Sequence, residues 1–201
     1  MLRYAAAALT AGLMLVGACD ARAQGQTKLK VGDKAPAFNA LPGIDGKALS
    51  LSDVKGDVLV VCITCNHCPV AVGYEDRLID FVKKHGKDGK VAFVAINVNN
   101  LEADKLDKMK QRAQERGFNF PYLYDASQAI ATALGAKVTP HFFVFNKERK
   151  LVYQGAMDDN NDANRVKTNY LEPAVQAALR GGSPSTTTTT ARGCGIVYER
   201  R

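Results

Sequence analysis

Val58-Leu59-Val60-Val61-Cys62-Ile63-Thr64-Cys65-Asn66-His67-Cys68-Pro69 is the stretch on which the reading of this chain turns. Val58 to Ile63 is an unbroken apolar run rich in β-branched residues, as a strand buried on both faces requires. Beyond Thr64 the pattern changes. From about Asn66 to His85, Tyr74, Leu78, Phe81 and Val82 recur at helical spacing, and Gly86 follows as a stop. Cys65 and Cys68 therefore stand where a buried strand gives way to a helix.

That placement has chemical consequences. The first cysteine of a Cys-x-x-Cys at a helix N-terminus faces free backbone N–H groups and the positive end of the helix dipole, which stabilise a thiolate. The thiolate attacks disulfides, so Cys65 is the expected nucleophile and Cys68 the expected resolving thiol. His67, between them, would stabilise the thiolate further when charged. It would then make the pair more oxidising than a thioredoxin, at about −270 mV. The alternative is a His67 that points into solvent.

Working outward, the alternation continues. Val91 to Val98 reads as a second buried strand, Glu102 to Arg116 as a charged amphipathic helix ended by Gly117, and Pro121 to Tyr124 as a short strand. A helix over Ser127–Leu134 and two strands, Phe142–Phe145 and Leu151–Tyr153, follow. Asn164 to Leu179 reads as a last helix, which Pro173 should kink or restart. Asp45-Gly46 between apolar residues marks a hairpin turn. The fold class is α/β with a mixed sheet. Thr139-Pro140 precedes the strand Phe142–Phe145, and beside a redox cysteine pair a cis bond is expected there. Such a bond turns the preceding backbone so that it can pair with an extended substrate chain.

The ends read differently. Met1–Ala23 has a positive start and then an apolar run, shorter than the about 20 residues a membrane span needs, and reads as an export signal. It would be cleaved after Ala23, or Val16-Gly17-Ala18-Cys19 would act as a lipobox with Cys19 lipidated and membrane-attached. Either route gives an exported, periplasmic protein in which disulfides persist. Residues 24–180 form the expected single domain. Residues 181–191, with Gly181-Gly182-Ser183-Pro184-Ser185 and a threonine run, read as a flexible linker. Residues 192–201 are a tail carrying Cys194. A linker of about ten residues reaches roughly 15–20 Å, so Cys194 is a candidate relay thiol, the other reading being a pendant cysteine.

The net charge is +7, with the positive residues interleaved with acids along helix-like stretches. This is a solvated surface and not a nucleic-acid footprint. Cys62-x-x-Cys65-x-x-Cys68-Pro69 echoes an iron–sulfur spacing but lacks the nearby fourth cysteine, and Cys62 sits in an apolar strand as a small hydrophobe. Zinc lacks a second ligand pair. Soft thiolates with His67 or His141 would suit copper(I), a minority reading. No metal and no cofactor other than a Cys65–Cys68 disulfide is expected.

Several segments together carry a resemblance: Val31-Gly32-Asp33-Lys34-Ala35-Pro36-Ala37-Phe38, Asp45-Gly46-Lys47 with Leu49-Ser50-Leu51-Ser52-Asp53, and Cys65-Asn66-His67-Cys68-Pro69 with Tyr74-Glu75-Asp76-Arg77-Leu78. Phe120-Pro121-Tyr122-Leu123-Tyr124-Asp125, Thr139-Pro140-His141-Phe142-Phe143 and Gly193-Cys194 add to it. From Val31 to about Ala178 the chain resembles the thioredoxin-like superfamily, in particular its redoxin branch of alkyl hydroperoxide reductase-like and peroxiredoxin-like proteins. The resemblance implies a three-layer sandwich with a central mixed β-sheet flanked by helices. It also implies a thiol–disulfide oxidoreductase acting on a thiol- or disulfide-bearing protein with a redox partner. Cys65 and Cys68 would be the redox pair, Pro140 would shape the groove, and His67 and Thr139 would tune it. The alternative is a peroxidase that takes peroxide. Two departures stand out. Thr64 directly precedes Cys65, where peroxiredoxins have Pro-x-x-x-Thr-x-x-Cys, and the strand before Cys65 lacks the buried acid of thioredoxins, leaving Glu75 or water to stand in.

Overall fold

A two-residue ladder between β1 (Leu41–Pro42) and β2 (Ala48–Leu49) closes the Asp45-Gly46 turn and leads into the long strand β3 (Val58–Thr64). The computed structural model describes residues 29–199, so the export signal expected over Met1–Ala23, with Cys19, lies outside the described residues. All of β3 is buried. Val58, Val60 and Cys62 point into one apolar cluster and Leu59, Val61 and Ile63 into the other, as the period-two geometry of a strand demands. Each large side chain buried this way contributes roughly 1.5–3 kcal/mol.

The chain continues through α1 (Pro69–Val72), α2 (Glu75–His85), β4 (Val91–Asn97), α3 (Leu106–Arg116), β5 (Tyr122–Tyr124) and α4 (Ala129–Leu134). Next come β6 (Val138–Thr139), β7 (His141–Phe145), β8 (Leu151–Gly155), α5 (Leu171–Leu179) and β9 (Cys194–Gly195). The central sheet has the order β5-β4-β3-β7-β8. β3 runs parallel to β4, and β4 to β5, whereas β7 is antiparallel to β3 and β8. Residues of α2, α3 and α5 (Leu78, Met109, Val175) cover one face, and residues of α4 (Ile130, Leu134) with Phe38 cover the other. This is the mixed-sheet, three-layer α/β architecture that the sequence implied.

Four segments depart from expectation. The helix expected from Asn66 begins instead at Pro69, with Cys68 as its N-cap, since proline suits a first helical position. It breaks at Gly73-Tyr74, where the Tyr74 hydroxyl donates to Asp158 Oδ1 at 2.8 Å. The helix expected from Glu102 starts as a single 3-10 turn, is interrupted at an extended Lys105 (ψ 154°), and resumes at Leu106. The last helix starts at Leu171, not at Asn164 where only a 3-10 turn forms, so Pro173 sits at a restart and does not kink α5. It is the third residue of that helix, where the missing N–H would have had no intrahelical partner.

The fourth departure is the C-terminal segment. Residues 181–191 were expected as a flexible linker, but Gln154 N–H donates to Thr187 O and Thr189 N–H to Gln154 O, both at 3.0 Å. Thr189 Oγ1 also accepts from Ala156 N–H at 3.0 Å and shares a 2.6 Å hydrogen bond with the Tyr153 hydroxyl. The physical reason is the outer edge of β8. Its unpaired backbone groups offer partners to a β-branched polar run that has no apolar surface to bury. Beyond it, β9 pairs antiparallel with β6, Thr139 facing Cys194. Ile196 N–H reaches Lys137 O at 2.9 Å, and the Tyr198 hydroxyl donates to Ala136 O at 2.7 Å.

Candidate active site

β3 ends at Thr64, and the next turn brings Cys65 and Cys68 beneath the junction of β6 and β7. The Thr139–Pro140 peptide in that junction is cis. Thr139 holds both sulfurs. Its Oγ1 shares a 3.0 Å hydrogen bond with Cys65 Sγ, and its carbonyl accepts from Cys68 Sγ at 3.2 Å. Cys194 comes in from the tail, its backbone N–H donating to Cys68 Sγ at 3.3 Å. Cys65 is 3% exposed and Cys68 fully buried, while Cys194 is half-buried.

The acidities of the pair reverse the order expected from sequence. Burial pushes the Cys65 thiol up to about 12 against opposing hydrogen bonds from Thr139 and the Cys68 N–H, and the Asp104 charge pushes it further. For Cys68, burial is outweighed by the Cys194 thiol and by the N–H groups of Ala71, Cys194 and Val70, so its thiol is more acidic than usual. The cause lies in where the helix begins. Because α1 starts at Pro69, its free N–H groups point at Cys68, not at Cys65. Cys62 is fully buried in β3, and burial raises its thiol well above the ordinary value, leaving it a core hydrophobe.

Sequence reasoning missed Asp104. Its fully buried carboxylate accepts from Asn66 N–H at 2.7 Å and from Asn97 Nδ2 at 3.2 Å, and meets His67 Nδ1 at 2.5 Å. Asn66 is pinned from its other side, where Tyr122 hydroxyl donates to Oδ1 at 3.0 Å. The turn that carries both cysteines is thus fastened to the segment after β4. His67, expected to face the thiol or solvent, is turned to this acid, and any charge it carries is paired. Glu75, the acid considered from sequence, is committed elsewhere. Arg112 grips it at 2.5 and 2.9 Å, and Arg116 at 3.1 Å.

Among the described residues, the donors that converge closely enough for one ion are Cys65, His67 and Asp104, within 4.8 Å of one another. One thiol, one imidazole and one carboxylate make a harder set than the two thiolates and histidine considered for copper(I). His141 lies apart, its ring 4.4 Å from that of Phe143, and burial pushes its pKa down to about 4. A hollow of about 800 Å³, lined by Val54, Lys55, Asp57 and Lys90, opens at the far end of β3. The cysteines instead lie under the β6–β7 junction, whose β6 edge is paired with β9.

The chain was compared with known proteins. The Redoxin family profile matches residues 30–170. A Mycobacterium tuberculosis protein bearing the name "Putative peroxiredoxin Rv2521" is 33% identical over 115 residues, which cover 55% of this chain and 66%, just under two thirds, of that relative. The thiol-disulfide oxidoreductase ResA of Bacillus anthracis is 27% identical over 131 residues, covering 63% of this chain and 70% of its own length. An uncharacterized conserved protein from Geobacillus kaustophilus has a similar crystal structure. Its TM-score is 0.79 at 35% identity, across 86% of this chain and 94% of that one.

Proposed function

The chain belongs to the redoxin branch of the thioredoxin-like superfamily, and on that premise we propose that it is a thiol–disulfide oxidoreductase whose working pair is Cys65 and Cys68. The observation that carries this reading is the grip of one residue on both sulfurs, Thr139 Oγ1 on Cys65 and Thr139 O on Cys68. A dithiol held in one frame forms and breaks an internal disulfide without rearranging the fold. In the reducing direction the Cys65–Cys68 dithiol gives up two electrons and two protons to a partner disulfide and closes to its own disulfide. In the oxidising direction the same steps run backwards. Thr139 and Pro140 frame the pair from above, with the tail strand β9 seated along Thr139, and Asp104 positions the turn through Asn66 and His67. Partners are proteins that carry thiols or disulfides. The composition of the N-terminus supports action outside the cytosol, where such disulfides persist.

The test is disulfide mapping across a glutathione series, together with insulin reduction driven by dithiothreitol. The expected result is a reversible Cys65–Cys68 linkage and faster insulin reduction. An oxidised protein in which Cys68 stays free, with no acceleration, would overturn the reading.

The peroxiredoxin-named relative raises a second reading, peroxide reduction. Attack on peroxide needs a thiolate that peroxide can reach; Cys65 holds its proton to about 12, and the more acidic Cys68 is fully buried. Arg112 and Arg116 are both bonded to the Glu75 carboxylate. Hydrogen peroxide turnover with a thiol donor is therefore expected to be no faster than with free cysteine. A stopped-flow or coupled peroxide assay checks this, and clear saturable turnover would restore the peroxidase reading.

A further inference from the structure

We propose that Cys194 is the sulfur through which the buried pair exchanges with outside partners, by carrying the disulfide out onto a Cys68–Cys194 bridge. The proposal rests on the exchange reading above and assigns the route by which a partner reaches the site. Of the three thiols gathered there, Cys65 is 3% exposed and Cys68 not at all. Cys194 alone is half-exposed. A partner sulfur approaching the folded protein meets Cys194 first.

The tail is fitted to this position. β9 pairs with β6, so the residue that holds both buried sulfurs, Thr139, stands opposite Cys194 itself. The Cys194 N–H reaches Cys68 Sγ at 3.3 Å, and the two thiols share a side-chain hydrogen bond. Gly193 passes so close to the Thr139 carbonyl that a Cβ there would collide with it. Anchors lie on both sides: Thr189 on Gln154 and Ala156 before the cysteine, and Ile196, Tyr198 and Glu199 on Lys137, Ala136 and Gln128 after it. A pendant cysteine would have no such seat.

The steps balance without any further reagent. Starting from the Cys65–Cys68 disulfide, the Cys194 thiolate attacks Cys68 Sγ. The Cys65–Cys68 bond breaks, the Cys68–Cys194 bond forms, and Cys65 leaves and takes up the proton that Cys194 gave away. No net oxidation occurs. A thiolate of a dithiol partner then attacks the exposed Cys194 Sγ, and Cys68 leaves as a thiolate. The partner's second thiol breaks the mixed disulfide and frees Cys194. Two electrons and two protons have moved from the partner dithiol to the protein, and the reverse sequence reduces a partner disulfide. Burial returns the proton to Cys65 and hydrogen bonds make Cys68 a good leaving group, while the Cys194 thiol, pushed up to about 11 chiefly by its bond to the Cys68 thiol, is freed of that bond once Cys68 is in a disulfide.

Two measurements on the full chain test the route. Cys65→Ser leaves Cys68 and Cys194 as the site's thiols. Treated with oxidised glutathione and mapped by mass spectrometry, it is expected to form an intramolecular Cys68–Cys194 disulfide. Cys194→Ser keeps the backbone N–H that docks the tail. It is expected to form the Cys65–Cys68 disulfide still, yet to reduce insulin about tenfold or more slowly than wild type. A Cys65→Ser protein carrying only glutathione adducts, or a Cys194→Ser protein as fast as wild type, would overturn the Cys194 assignment while leaving the Cys65–Cys68 reading intact. Loss of the Cys65–Cys68 linkage in wild type would instead sink the underlying reading.

Discussion

Serine in place of Cys68 is expected to lower insulin reduction by about a thousandfold or more, to the level of free thiol chemistry. Cys68 is the junction of the site. Its sulfur donates to Thr139 O and accepts from the Cys194 N–H. Its thiol is the one whose acidity is enhanced. An oxygen in its place forms no disulfide with either neighbour. The remaining Cys65 has a thiol that burial pushes up to about 12, so at neutral pH it stays protonated. The sign of the pH dependence follows. In the Cys65→Ser protein the thiolate absorbance of Cys68 should persist to lower pH than that of a free cysteine. In Cys68→Ser the Cys65 thiolate should emerge only in strongly alkaline solution. A Cys68→Ser protein that keeps a tenth or more of wild-type turnover, or a Cys65 that titrates near the free-cysteine value, would contradict this account.

Asp104→Ala is expected to destabilise the protein by about 3 kcal/mol, the cost of leaving buried donors without their acceptor. Asp104 is fully buried, so water does not replace the lost carboxylate. Alanine would also leave Asn66 N–H and one Asn97 amide hydrogen without their acceptor. For a chain of this size, each kcal/mol shifts Tm by about 2–4 °C, so a drop of roughly 6–12 °C should be seen. Urea unfolding with an unchanged m-value would confirm a loss of native-state interactions. Asp104→Asn retains an oxygen for Asn66 and should recover part of the loss. A second readout separates positioning from bulk stability. The Asp104 charge raises the Cys65 pKa, so either variant should let Cys65 ionise at lower pH. A loss under 1 kcal/mol with unmoved Cys65 titration would remove Asp104 from the site.

What was legible in the sequence was what depends on short windows. The β-branched run Val58–Ile63 names a strand covered on both sides because no solvated strand tolerates six successive apolar residues. Cys-x-x-Cys at its end, and Thr139-Pro140 before the next strand, point to one another through known chemistry. Contacts across the chain were not legible. Asp104 sits between Glu102 and Lys105 and reads as one more charge on a helix, yet the chain is extended at Lys105 and the carboxylate is buried 37 and 38 residues from its partners His67 and Asn66. The cysteine acidities depend on where the helix starts, and a one-turn shift from Asn66 to Pro69 moved the stabilising N–H groups from the first sulfur to the second. The threonine run was judged by its lack of apolar surface, a criterion blind to backbone groups waiting along β8.

That strap of threonines has a consequence for the molecule's behaviour in a crowd. An open sheet ends in two rows of unpaired amides and carbonyls, each a template on which another chain can add a strand and begin aggregation. Here the β8 margin is taken up by Thr187 and Thr189 at Gln154, and by Gly32 and Asp33 at Leu151. At the opposite margin, Ile44 N–H is bonded to Tyr122 O at 3.1 Å. The β8 margin is thus occupied by the protein's own polypeptide, and the β5 margin is met at Tyr122. Unstrapping the tail would uncover one of them and invite self-association.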